Sequence, residues 1–398
     1  MIQSNRIEKT SGTRACVLRQ AVVAVMAASI LFTPSIALAD VTIDGTTYPK
    51  GTQAADPAGT WSYDGNEGLT LNGYQGGAII ASDQNLVVEL DADNVVTGET
   101  DEDDMTAPGI EVDGGDVTIT DATGEAGTLK ASSDGPLNAY GISAYWSEDD
   151  ESVGGCVIID GATVTVSSID LDDEYTEGIH ADKTVSIKNG ANVTVEAKSA
   201  NATLGIMAQA VDVTDSTLAI KASSTDDNST ARGIYASGIV GKGSSMDHAI
   251  TIANSNVTID SDTSAFYADQ SGDNAPSLTI SDATITSPDG GAVYTGPSSD
   301  GPGALTIATV AGSNGKTAAP DVTITAGAPA AGAAGTDAAT EVGSAAETEV
   351  AADGSATETE ATPKTGNSSL PVVGIAAGAA VALLVVLRLG RKPKHPAE

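Results

Sequence analysis

The sequence predicts an all-β chain built mainly as a right-handed parallel β-helix of about eight coils, with a disordered linker and a C-terminal transmembrane helix behind it. Three observations lead there: a Gly-Ile-x-Ala unit recurs at solenoid spacing, the segments between its copies alternate with period 2, and only 3% of residues are aromatic. Strands buried on one face alternate apolar and polar side chains. A fixed motif returning every few tens of residues is the mark of stacked repeats. So few aromatics exclude a large aromatic core, and the abundant Gly, Ala, Ser, Thr, Asp and Val suit many short strands and turns.

The repeat reads "AIIA" at 78, "GIEV" at 109, "GISA" at 141, "GIHA" at 178, "GIMA" at 205, "GIYA" at 233, "AFYA" at 265 and "GAVY" at 291. Successive starts lie 31, 32, 37, 27, 28, 32 and 26 residues apart. Each unit carries two further alternating segments, such as "VTITD" at 117, "CVIID" at 156 and "VDVTD" at 211, then "ATVTV" at 162, "ANVTV" at 191 and "SNVTI" at 255. Three strands per unit describe a β-helix over 77–327, its coils about 4.8 Å apart. An Asp or Asn between second and third strands suits a tight turn. Thr128, Thr163, Asn192, Thr217, Asn256 and Thr284 fall in one column, suited to stacked side-chain hydrogen bonding. The rival architecture is an antiparallel β-sandwich, which also alternates. Residues 40–76, with Trp61, Tyr63 and Tyr74, are expected to cap the first coil, because an open solenoid end invites aggregation.

Both ends read as targeting segments. Arg6, Lys9, Arg14 and Arg19 precede an apolar run from Ala21 to Phe32, and Ala37-Leu38-Ala39 offers a small-residue cleavage site between Ala39 and Asp40. Residues 1–39 are therefore a signal peptide, and the chain is secreted. Residues 328–361 are Ala, Gly, Thr and Glu without an aromatic, a composition with nothing to pack, and form the linker. Leu370 to Leu387 is an apolar run of transmembrane character followed by Arg388, Arg391, Lys392 and Lys394. Between the two ends, residues 40–366 hold 10 Lys+Arg against 52 Asp+Glu, a net charge of −42 that repels nucleic acid. Cys156 is the one cysteine left there, so no internal disulfide forms, and it reads as a small apolar residue.

The order Thr362-Pro363-Lys364-Thr365-Gly366, apolar span, basic tail resembles the cell-wall sorting signal of Gram-positive surface proteins. That resemblance implies a sortase that cuts between Thr365 and Gly366 and joins Thr365 to peptidoglycan. Segment 362–398, with its helix at 370–387, would hold the precursor in the membrane until then. The family has Leu where this chain has Thr362, which leaves a permanently membrane-held protein as the alternative. The coils resemble repeat-rich β-helical surface proteins of gut Firmicutes and Actinobacteria, some of them adhesin-like or carbohydrate-binding.

With Ile and Ala of each unit facing inward, the residue between them and the one after Ala face outward. That face shows Glu111 and Asp113, Ser143 and Tyr145, His180 and Asp182, Met207 and Gln209, Tyr235 and Ser237, Tyr267 and Asp269. The adjoining glycines would leave a shallow groove. His180, Asp182, Met207, Tyr235, Tyr267 and Asp269 form the candidate ligand face, with Tyr235 and Tyr267 stacking on sugar rings; plain cover for the strand surface is the alternative. A glycosidase or lyase could use the same face. However, Asp113, Asp182 and Asp269 stand too many coils apart for a carboxylate pair, and the face shows no Lys or Arg base. No catalytic residue and no cofactor is expected. Acidic runs at 101–104, 172–174 and 226–227 are oxygen-rich groups of the kind calcium selects, against an alternative of solvated, mutually repelling loops. No P-loop, dinucleotide or zinc spacing is present.

The reading is a monomeric, non-catalytic adhesin or glycan-binding protein attached to the cell wall, with host or microbial glycans or mucin as partners. The alternatives are a surface polysaccharide hydrolase or lyase and a coat protein without a specific ligand. Mass spectrometry of wall-released protein should find a C-terminal peptide ending at Thr365; mature protein that retains Arg388 would rule out covalent linkage.

Overall fold

The computed structural model describes residues 39–327 except 100–106, 123, 125–126, 135–138, 148–153, 171–174, 227–228, 238–247, 271–273, 299–305, 314 and 316. The signal segment before Ala39, the linker 328–361, the sorting signal 362–398 with its apolar span, and the acidic runs apart from Asp226 lie outside the described residues. Among the described residues no helix is long and apolar enough to cross a membrane.

The described residues form an all-β solenoid of three long, mainly parallel sheets of 11, 10 and 9 strands. In the first sheet Ile79–Ser82, Ala107–Asp113, Ala139–Tyr145, Tyr175–Ala181, Ala202–Ala208, Thr230–Ala236 and Ser264–Asp269 follow one another in parallel. The second sheet runs from Gly68–Asn72 to Ser277–Ser281, and the third from Gln75–Gly76 to Asn256–Ser261, each taking one strand per turn of chain. The sandwich alternative is thereby excluded, since a sandwich pairs its strands antiparallel.

Register explains why the alternation works. Val117, Val157, Val185, Val211, Ile250 and Leu278 stand opposite one another through the second sheet. Leu129, Val164, Val193, Leu218 and Val257 do the same in the third, and Ile79, Ile110, Ile142, Ile179, Ile206, Ile234 and Phe266 in the first. All are buried in one continuous core. Each such side chain contributes about 1.5–3 kcal/mol on leaving water. Between second and third strands, Asn189, Asp215, Asn254 and Asp282 take positive φ of 59°, 50°, 45° and 51°, the backbone the tight turn needs. Asn189 Nδ2 donates to Asp160 Oδ1 at 2.7 Å, and Asn254 Nδ2 to Asp215 Oδ1 at 2.7 Å, so these turns are stitched from coil to coil.

The ends depart from the simple repeat. Six complete three-strand turns stack between Ile79 and Ser261, rather than about eight. The "GAVY" unit becomes Ala292–Pro297, antiparallel to Thr306–Ala311, which itself lies antiparallel on Ser264–Asp269. Val322–Ala326 inserts antiparallel between Asn256–Ser261 and Ala283–Ser287, so Thr284 faces Thr325 and leaves the predicted column. At the other end Asp40–Ile43 covers Ile79–Ser82 antiparallel, and Tyr63 and Tyr74 are buried, as the cap requires. The solenoid nevertheless starts inside that segment, because Gly68–Asn72 already pairs in parallel with Leu86–Asp91. Antiparallel end strands terminate what would otherwise be open parallel edges.

The motif glycines do not line an outer groove. Their Cα atoms face inward: a Cβ on Gly205 would overlap Ile220 Cγ2 of the third sheet and lie 2.6 Å from the carbonyl oxygen of Gly233 in the next coil. The ladder breaks at each of them. Tyr140 stands opposite Glu177 and Ile142 opposite Ile179, with no pairing at the glycine between. The same break recurs from coil to coil along the first sheet. Gly205→Ala should therefore lower stability by about 1–3 kcal/mol through overpacking. Gly312→Ala, whose Cβ meets nothing within 4 Å, should stay within about 0.5 kcal/mol. Urea unfolding midpoints of the two variants check the difference.

Candidate functional site

The ladder break decides which side chains share the outer face of the first sheet. In an unbroken strand residues three apart face opposite sides. Here the glycine and the isoleucine after it both pack inward, so the residue before the glycine and the residue after the isoleucine both project outward. Glu177 joins His180 in this way, and Arg232 joins Tyr235.

His180 is the centre of the first cluster. Its Nδ1 lies 2.5 Å from Glu177 Oε2 and its Nε2 3.1 Å from Asp182 Oδ1, with the three residues 4%, 1% and 5% exposed. Burial by itself would lower the imidazole pKa, but Glu177 first, then Asp182, outweigh it and raise it to about 10. His180 is therefore an imidazolium clamped on both nitrogens. Tyr145 lies 5.0 Å and Tyr140 5.8 Å from it, ring centre to ring centre. Asp182 Oδ2 also accepts the Trp146 N–H at 2.9 Å. Met207 is beside His180 in the next coil, and its sulfur accepts the Tyr175 hydroxyl at 3.2 Å. Burial, then Glu177, pushes the Tyr175 phenol well above its ordinary value.

Asp269 is the centre of the second cluster. Its Oδ2 accepts the Tyr235 hydroxyl at 2.8 Å and the Ser237 hydroxyl at 3.1 Å, and its Oδ1 lies 2.7 Å from His248 Nδ1. Burial, then Asp269, pushes the Tyr235 phenol up to about 12. Tyr235 and Tyr267 meet edge to face at 5.7 Å, and the Arg232 guanidinium lies over both, 4.6 Å from one ring centre and 3.9 Å from the other.

The six predicted face residues thus fall into two groups: His180, Asp182 and Met207 in one, Tyr235, Tyr267 and Asp269 in the other. Asp182 and Asp269 remain three coils apart, roughly 14 Å at the usual strand spacing. Several of the outward positions are covered rather than open: Ser143, Gln209 and Tyr267 are 0%, 1% and 8% exposed. Arg232 occupies the Tyr267 ring that was expected to meet a sugar. One reading needs correction: the face does carry an arginine, Arg232. His180 also has a second carboxylate partner in Glu177. The signal was present in the sequence: Glu177 and Arg232 occupy positions with the parity of buried Ile179 and Ile234. A charge there must either be paired inside or turned out.

Cys156 is half-buried, and burial, then Asp116, pushes its thiol up to about 11, away from nucleophilic use. Among the described residues no group of three or more His, Cys, Asp or Glu could hold a metal ion.

Fold and site together define a class: an all-β protein of stacked parallel turns, with clustered aromatic and charged side chains on one sheet. Beyond that class, no protein-family model, no curated protein and no solved structure matches the chain.

The folded pKa of His180 lies above its ordinary 6.5, so the clamp stabilises fully below about pH 6.5 and its contribution is lost as pH rises through about 10. Urea midpoints of the native protein should fall across that window, and those of His180→Gln should fall less. At neutral pH His180→Gln should lose roughly 3–5 kcal/mol by leaving two buried carboxylates unpaired. Adding Glu177→Gln should recover part of the loss.

Proposed function

We propose that this is a non-catalytic surface protein, an adhesin or glycan-binding solenoid, exported by its N-terminal segment and joined to the cell wall by a sortase at Thr365. The observation that carries the non-catalytic reading is saturation of the groups that could do acid–base work. Both ring nitrogens of His180 contact carboxylates, and Asp269 is engaged by Tyr235, Ser237 and His248. A general base needs a free lone pair within reach of substrate, and these groups spend theirs inside the protein. Such networks hold side chains in fixed positions, which is what a recognition surface needs.

The scaffold for this role is a right-handed parallel β-helix, the hand taken by nearly all parallel crossovers. Its acidic charge keeps a displayed protein soluble and turns away nucleic acid. The sorting motif and the apolar span behind it supply the attachment.

A glycan and mucin array probed with the intact protein, with and without calcium, tests the proposal. Saturable binding with no release of reducing ends from the bound polysaccharide is the expected result. Release of product would establish the hydrolase or lyase instead. Silence in both conditions would leave a coat protein.

A further inference from the structure

We propose that Arg232 is the anchor of a subsite for the carboxylate of an acidic sugar, and this rests on the glycan-binding reading above. Arg232 is the only arginine between residues 40 and 366, in a chain with 54 Asp+Glu. A cation in such surroundings is expected to be neutralised by a neighbouring carboxylate. Instead, among the described residues its guanidinium makes neither an ion pair nor a hydrogen bond, and lies against the rings of Tyr235 and Tyr267.

The carboxylate hydrogen-bonded to Tyr235 is engaged by other groups. Asp269 contacts Tyr235 through that residue's hydroxyl and is further engaged by Ser237 and His248. The ladder neighbours of Arg232 are Leu204 in the preceding coil and Ser264 in the following one, neither of them charged. A cation–π contact with tyrosine rings accepts none of the guanidinium N–H groups as a carboxylate would, so those donors stay unspent. Those donors form a rigid fork that matches a planar carboxylate with two parallel hydrogen bonds. Arg232 is only partly buried. The two rings also limit its rotamers before any ligand arrives, which lowers the entropy cost of binding. A carboxylate fits this fork better than a neutral hydroxyl. The partly buried ring of Tyr235 offers apolar contact to the ring of the sugar that carries it.

The test measures the intact protein against oligogalacturonate, its methyl ester and a sulfated galactose oligosaccharide, by calorimetry at physiological salt. The acid should bind, and the ester should bind about tenfold to a hundredfold more weakly, because only the charge and fork acceptor have changed. Arg232→Lys, which keeps the charge and loses the fork, should weaken the acid about tenfold. Arg232→Gln should abolish its binding. The ester comparison needs no variant, so a folding defect in either substitution cannot mask the answer. Equal affinity for acid and ester, preference for the sulfated probe, or unchanged binding in both variants would overturn the inference. Saturable binding of neutral glycans that ignores Arg232 would defeat this subsite and leave the glycan-binding reading standing. If no glycan binds at all, both fall.

Discussion

The first sheet depends on one steric constraint: at each motif glycine the chain passes so close to the third sheet and the next coil that no Cβ fits. Val166, Val195, Ile220 and Ile259 fill the space a side chain would need at Gly141, Gly178, Gly205 and Gly233. The ladder breaks there, and the parity of the strand changes. A glycine kink of this kind, kept in register from strand to strand, re-aims the side chains on either side of it. Repeated coil after coil, it turns a row of interior positions into a row of outward ones. The pairing of Glu177 with His180 and of Arg232 with Tyr235 both follow from it.

Those two pairings show opposite treatments of positive charge in an acidic protein. His180 is buried between two carboxylates, where its removal leaves both without a partner charge. Arg232 lies over two aromatic rings, held by cation–π contact and not by side-chain hydrogen bonds. The first arrangement locks one coil of the sheet. The second positions a cation without pairing it to a carboxylate. Tyrosine supports both: Tyr140 meets His180 edge-on and Tyr145 lies tilted against it, while Tyr235 and Tyr267 lie beneath Arg232.

In a stacked architecture each turn contacts chiefly its neighbours, so stability accumulates along the axis and the ends need separate treatment. Here both ends change from parallel to antiparallel pairing. Asp40–Ile43 closes the first sheet on one side, and Thr306–Ala311 closes it on the other. Val322–Ala326 ends the regular stacking of the third sheet. The inward valines, isoleucines and leucines then run uninterrupted from cap to cap as one core.

Sequence alone determined the repeat, the three alternating segments per turn and the turn residues. Each of these is a local pattern with a local cause: one buried face per strand, and a positive φ that Asn and Asp tolerate at Asn189, Asp215 and Asn254. It also placed His180 beside Asp182 and Tyr235 beside Tyr267, since those pairs follow from period 2 and from stacking. Tertiary structure decided the rest. That Glu177 and Arg232 face outward depends on the collision a Cβ would meet in another sheet and another coil, which no spacing within one strand expresses. That "GAVY" caps the stack instead of extending it depends on Thr306–Ala311 lying antiparallel on Ser264–Asp269. Alternation specifies which face is buried, and it is blind to the direction of the neighbouring strand.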